Sequence, residues 1–135
     1  MMIQKLFFFA DALLLGLLWS TGSIAAPLVG SSQIASAGGV TVKATYLSQT
    51  EHESRFSVVL DTHSVNLDGF DLKALSILRD DTGIVLTATA IEKNGRGHHR
   101  EVLLTFPRPS PKRKWLELVI KDLAGEPERV LRWEE

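Results

Sequence analysis

Four histidines, His52, His63, His98 and His99, are the side chains of this chain best suited to chemistry, because neutral imidazole is the commonest metal ligand among side chains. His98 and His99 fall in Asn94-Gly95-Arg96-Gly97-His98-His99-Arg100, which reads as a turn entering a strand. His63 follows Phe56–Asp61, at the exit of another strand. If the two loops lie at one end of a sandwich, His63, His98 or His99 and Asp61 converge. Imidazole and carboxylate together suit Zn²⁺ or Cu²⁺, and Glu101 is a further oxygen donor. Two features oppose a shared metal. Adjacent strand residues point to opposite faces, so His98 and His99 ligate together only where the turn is irregular. No H-x-H, H-x₃-H or H-E-x-x-H spacing is present either. The plainer alternative is one histidine bonded to backbone and its neighbour in solvent. His52, between Glu51 and Glu53, reads as solvated.

Other motifs point to turns rather than to catalysis. Asp81-Thr82-Gly83 has the D-T-G of aspartic proteases, but Arg79-Asp80 stand where that family has an apolar strand. Asp-Asp-Thr-Gly is better read as a hairpin turn. Asn66, Asp68 and Asp71 lack the alternate spacing and terminal Glu of an EF-hand, so they read as an Asx-type turn. Asp61-Thr62-His63-Ser64 is no triad, since a triad is recognised in space and not by adjacency. A G-x-S-x-G elbow is absent. Arg108, Lys112, Arg113 and Lys114 make a basic stretch that reads as a solvated loop, with Arg96 and Arg100 in another. Trp115 aside, no aromatic residues interleave with them, which argues against nucleic acid.

The elements that must position these side chains are strands. From Val40 onward the apolar period is two, the signature of half-buried extended chain. Strands are expected at Val40–Tyr46, Phe56–Asp61, Leu75–Leu78, Ile84–Ile91, Val102–Phe106, Leu116–Ile120 and Arg129–Trp133. Asp80–Gly83, Asn94–Gly97 and Asp122–Pro127 supply turns, and Pro107, Pro109 and Pro111 forbid regular pairing between the fifth and sixth strands. Leu72, Leu75 and Leu78 are spaced by three, so Asp71–Leu78 is the one place where a helical turn or two is expected. Trp115 and Trp133 are expected in or around the core. About seven short strands with regular turns predict an all-β, immunoglobulin-like β-sandwich over residues 39–135. Residues 26–38, rich in Ser, Ala and Gly, read as a flexible lead-in.

The first residues bear on location. Lys5 precedes an apolar run from Leu6 to Trp19, and Ser23-Ile24-Ala25 places small residues ahead of a cleavage point. That is the plan of a secretory signal peptide over residues 1–25. Asp11 interrupts the run, which is also shorter than the ~20 residues a bilayer requires. No membrane span is therefore expected after cleavage, the alternative being an uncleaved anchor. The expected location is periplasmic or secreted. The chain has no cysteine, so its stability rests on packing and hydrogen bonds. A formal net charge of −1 favours neither nucleic acid nor membrane over the whole surface.

Two segments, Val59-Leu60-Asp61-Thr62-His63-Ser64-Val65-Asn66-Leu67 and Gly97-His98-His99-Arg100 followed by Leu103-Leu104-Thr105-Phe106, resemble a family of small exported prokaryotic domains of unknown function. In that family a T-H-S-V-x-L segment precedes a G-H-H turn, and a closing segment is similar to Glu128–Trp133. The resemblance implies a shared fold over about residues 40–134 and singles out His63, His98 and His99. It implies no activity or ligand. The expectation is thus a non-enzymatic binding or structural module of the cell envelope, with an envelope protein or polymer as partner and no cofactor. The alternative is a copper- or zinc-binding protein using His63 with His98 or His99 and Asp61.

Overall fold

The computed structural model describes residues 28–135. The expected signal segment, residues 1–25, lies outside the described residues. Nine strands and one helical turn follow: β1 (Ser32–Ala37), β2 (Val40–Gln49), β3 (Glu53–Thr62), α1 (Leu72–Leu75), β4 (Ser76–Asp80), β5 (Val85–Thr87), β6 (Ala90–Glu92), β7 (His99–Pro107), β8 (Trp115–Leu123) and β9 (Glu126–Glu134). They form two antiparallel sheets, one of order β1-β2-β3-β7-β6 and one of order β5-β4-β8-β9. The protein is an all-β sandwich.

The period-two pattern is the cause. On β2, Val40, Val42, Ala44 and Tyr46 turn inward; on β3, Phe56, Val58 and Leu60; on β7, Val102, Leu104 and Phe106; on β8, Leu116, Leu118 and Ile120; on β9, Leu131 and Trp133. All are fully or almost fully buried, and they make one continuous core. An aromatic cluster fills one half of it. The Tyr46 and Phe56 rings stack at 4.5 Å, and Phe106 meets Phe56 edge-on at 5.8 Å. Such pairs add about 0.5–1.5 kcal/mol beyond their buried area.

Three expectations are corrected. Residues 32–37, read as part of a flexible lead-in, form β1, which pairs with β2 from Ser32↔Thr45 to Ala37↔Val40. The domain therefore begins before residue 39. The single strand expected over Ile84–Ile91 is two. Residues 85–87 pair with β4 and residues 90–92 with β7, so the chain changes sheet at Ala88-Thr89. Thr89 fixes the crossing, because both its amide and its hydroxyl donate to the Thr105 carbonyl, at 2.8 and 3.2 Å. The basic stretch is only partly solvated. Arg113 is buried, donating to the Ser110 carbonyl at 2.7 Å and pairing with Glu135 at 2.6 Å.

The D-T-G segment is the β4–β5 turn. Asp80 accepts from the Thr82 amide at 2.9 Å, and Gly83 has φ +86°. Asp81 reaches across to the chain entering β8, accepting from the amides of Lys114 and Trp115 at 2.6 and 3.3 Å. Those backbone bonds, the one from Lys114 foremost, hold its carboxyl below the ordinary value.

Candidate functional site

The ends of β1, β3 and β8 and the starts of β2, β7 and β9 meet at one end of the sandwich. The β3–α1 and β6–β7 loops cover that end, and they are the two segments singled out in the sequence. Asp61 stands directly opposite His99 in the β3–β7 register and opposite Thr41 in the β2–β3 register. Thr41, Asp61 and His99 therefore form one row on the outer face of the larger sheet. His99 Nδ1 and Asp61 Oδ1 are hydrogen-bonded, with the two side chains 68% and 56% exposed. A cavity of about 210 Å³ opens beside them, lined by Gly39, Thr41, Asp61, Thr62 and His63.

The four expected metal residues are thus brought to one end but not into one cluster. Asp61 and His99 bond to each other. His63 shares the cavity wall with Asp61. His98 enters through its backbone: its carbonyl accepts from the Thr62 amide at 2.9 Å, while its side chain is exposed. Glu101 lies two residues further along β7, opposite Val59. Among the described residues, no three His, Cys, Asp or Glu side chains stand where they could share a metal ion.

Arg100, read from the sequence as part of a second solvated basic loop, is instead buried and shapes this end, a further correction. Arg100 is 2% exposed. Its guanidinium donates to the Leu67 carbonyl at 2.6 Å, to the Phe70 carbonyl at 3.0 Å and to Asn94 Oδ1. It thereby ties the β3–α1 loop to the β6–β7 loop. Asp68 completes the tie by accepting from the Gly97 amide at 2.6 Å. Asn66 Oδ1 accepts from the Asp68 amide at 3.0 Å, and Asp71 caps α1 through the Ala74 amide at 3.2 Å. The bond from the Asp68 amide to Asn66 Oδ1 is the Asx-type turn expected from the sequence. Thr62 organises the neighbouring chain: its hydroxyl donates to the Gly39 carbonyl at 2.8 Å and accepts from the amides of Ser64 and Val65.

Arg129 does for the other side what Arg100 does here. It is 3% exposed and grips the carbonyls of Leu123, Ala37 and Val40, at 3.0, 2.7 and 3.3 Å. The β1–β2 turn is thereby fastened to the β8–β9 turn. Desolvation lowers the Arg129 pKa from its ordinary value. A planar guanidinium suits this task because its donors are fixed in a fork that can serve several carbonyls at once. Both arginines were detectable. Arg100 is in phase with Val102, Leu104 and Phe106, and Arg129 with Leu131 and Trp133, so each occupies an inward-facing position of an alternating strand.

No protein-family model matches the chain, and comparisons with curated proteins and with solved structures find no match either.

Proposed function

We propose that the chain is an exported, non-enzymatic, immunoglobulin-like binding module, and that the Asp61–His63–His99 end is the surface it presents to an envelope protein or polymer. Strand order carries this reading. Counted from β2, the sheets run β2-β3-β7-β6 and β5-β4-β8-β9. That is the neighbour order A-B-E-D and C′-C-F-G of an immunoglobulin-like sandwich, with β1 added at one edge. Loops at the ends of such sandwiches are where recognition is commonly built. Here the loops are fixed by buried guanidiniums, so a partner would meet a preformed surface and little ordering entropy would be lost. A binding role is favoured over a hydrolytic one because, among the described residues, His99 bonds only Asp61 and no nucleophile. The exported address and the family resemblance rest on the sequence segments already described.

A photo-cross-linking residue placed at position 63, and separately at position 52 in the β2–β3 turn at the far end, tests the reading in cell-envelope fractions. Adducts at position 63 and none at position 52 are expected. Equal labelling at both positions, or none at either, overturns it.

One observation favours a second reading, binding of Cu²⁺ or Zn²⁺. The Asp61 carboxylate engages His99 Nδ1, leaving Nε2 at the surface; a carboxylate commonly orients a metal-binding imidazole in this way. His63 lines the same cavity as Asp61. Calorimetric titration with each metal decides it. Binding should weaken in acid, because imidazole must be neutral to ligate, and should drop on His63→Ala or His99→Ala. Unchanged affinity in both variants removes this reading.

A further inference from the structure

Arg100 is a buried cation whose bonds, among the described residues, all go to neutral acceptors: two backbone carbonyls and the Asn94 side-chain amide. Its Nε has no partner. A buried charge is ordinarily paired with an opposite one, because desolvation is otherwise uncompensated. Asn94 is the one acceptor that a single hydrolysis converts into a carboxylate, and the residue after it is Gly95. Asn-Gly is the sequence in which this hydrolysis meets least steric resistance, because glycine has no side chain to hinder ring closure.

Backbone geometry does not explain that glycine. Gly95 is not among the residues of positive φ. A Cβ built there would meet nothing closer than the Glu101 amide nitrogen at 3.4 Å, an ordinary contact. The turn would hold an alanine.

We propose that Asn94 is a site of spontaneous amide-to-carboxylate conversion, and that the aspartate formed completes an ion pair with Arg100. The Gly95 backbone nitrogen attacks Asn94 Cγ. A C–N bond forms, the Cγ–Nδ2 bond breaks, and ammonia leaves carrying the amide proton. Water then opens the five-membered ring. Cleavage of the new N–Cγ bond restores the normal backbone with aspartate at position 94; cleavage on the other side gives the isoaspartyl form, whose backbone is one methylene longer. The net change is amide plus water to carboxylate plus ammonium. Arg100 serves twice: its bond to Oδ1 polarises the amide under attack, and its charge holds the carboxylate formed. The Gly95 amide donates to the Lys93 carbonyl at 2.8 Å and to the Glu101 carbonyl at 3.3 Å, so ring closure proceeds from an opened turn. The aspartyl product recloses that turn with an ion pair where a bond from a charged donor to a neutral amide stood, adding a direct attraction between opposite charges at a partly buried site.

The chain contains one other asparagine, Asn66, which Leu67 follows, and it serves as internal control. Peptide mapping of the full chain aged at neutral pH should show position 94 converting at least tenfold faster than position 66. Gly95→Ala should suppress that conversion about tenfold while leaving the unfolding midpoint unchanged. Asn94→Asp should melt above the parent, and Asn94→Ala below it. The Asn94→Asp gain should vanish once pH falls below the carboxylate range, which a packing effect would not do. Equal conversion at positions 94 and 66, or an Asn94→Asp variant no more stable than the parent at neutral pH, overturns the proposal.

Discussion

Glu117 shows how one charged side chain comes to be sealed on the outside of a sheet. It points away from the core, yet its side chain is only 4% exposed, because Arg79 on β4 and Arg132 on β9 close over it from the neighbouring strands. Each donates to one of its oxygens at 2.6 Å, and Arg132 also lies 4.2 Å above the Trp115 ring. Burial alone pushes the Glu117 carboxyl up, but the hydrogen bonds and charges of Arg79 and Arg132 outweigh it and hold the pKa below its ordinary value. Stabilisation from a carboxyl of lowered pKa is present in full above the unfolded value of about 4.3 and is lost as pH falls through the folded value. Glu117→Gln should therefore cost about 1–3 kcal/mol near neutral pH, as removal of one partner of a buried charged hydrogen bond does. Urea titrations of parent and variant at neutral pH and near pH ~3 check this; the gap between them should close in acid. In the sequence Glu117 reads only as the polar member of an alternating strand. Its burial depends on side chains 38 positions before it and 15 after it, which no local window contains.

At the scale of elements, what pairs locally was legible and what is fixed from a distance was not. The alternation in β2, β3, β7, β8 and β9 marked five strands because each buries one face against the same core. The Ile84–Ile91 run hid a change of sheet, since the bonds that divide it come from Thr105 on another strand. Two of the connecting turns show the same contrast. Gly38-Gly39 joins β1 to β2 with φ of +59° and +74°, and Ala124-Gly125 joins β8 to β9 with φ of +52° and +82°. Positive φ at both central residues is what a type I′ hairpin turn requires, and Asn-Gly fits it best. Ala124 occupies that conformation against its Cβ, a cost near 1 kcal/mol. Ala124→Asn should raise stability by about 0.5–1 kcal/mol, read as a higher urea midpoint with unchanged m-value. An unchanged midpoint would mean that the turn has relaxed elsewhere. Arg129, which joins these two turns, predicts the opposite sign. Arg129→Ala strands the carbonyls of Leu123, Ala37 and Val40 and should cost about 2–4 kcal/mol. Amide exchange in both turns should accelerate together, because one guanidinium protects both.

The molecule as a whole depends on β1 in a way its composition conceals. Ser32-Gln33-Ile34-Ala35-Ser36-Ala37 carries no charge, and its one large apolar side chain, Ile34, is 66% exposed. Read alone it cannot bury enough apolar surface to hold itself extended, which is why it looked like linker. It is held by what lies around it. Along one side it pairs with β2 over six residues. At one end Arg129 donates to the Ala37 carbonyl at 2.7 Å, and at the other the Trp133 indole reaches the Ser31 carbonyl at 3.4 Å. Both donors come from β9 in the opposite sheet, so β1 closes the gap between the layers on this side as the β5–β6 segment closes it on the other. The same bridging explains why the candidate site keeps its shape: the β1–β2 turn supplies Gly39, and its carbonyl anchors Thr62 beneath the Asp61–His63 wall. A chain beginning at residue 39 should therefore fold less stably than one beginning at residue 28, by several kcal/mol, since each lost strand hydrogen bond is worth about 0.5–1.5 kcal/mol net. Its β2, a ten-residue strand, would become an uncovered edge, and long unprotected edges invite pairing between chains. Urea titration and light scattering of the two chains at equal concentration measure both effects. Equal midpoints with no rise in scattering would show that the sandwich closes without β1, and that the boundary suggested by composition was the physical one.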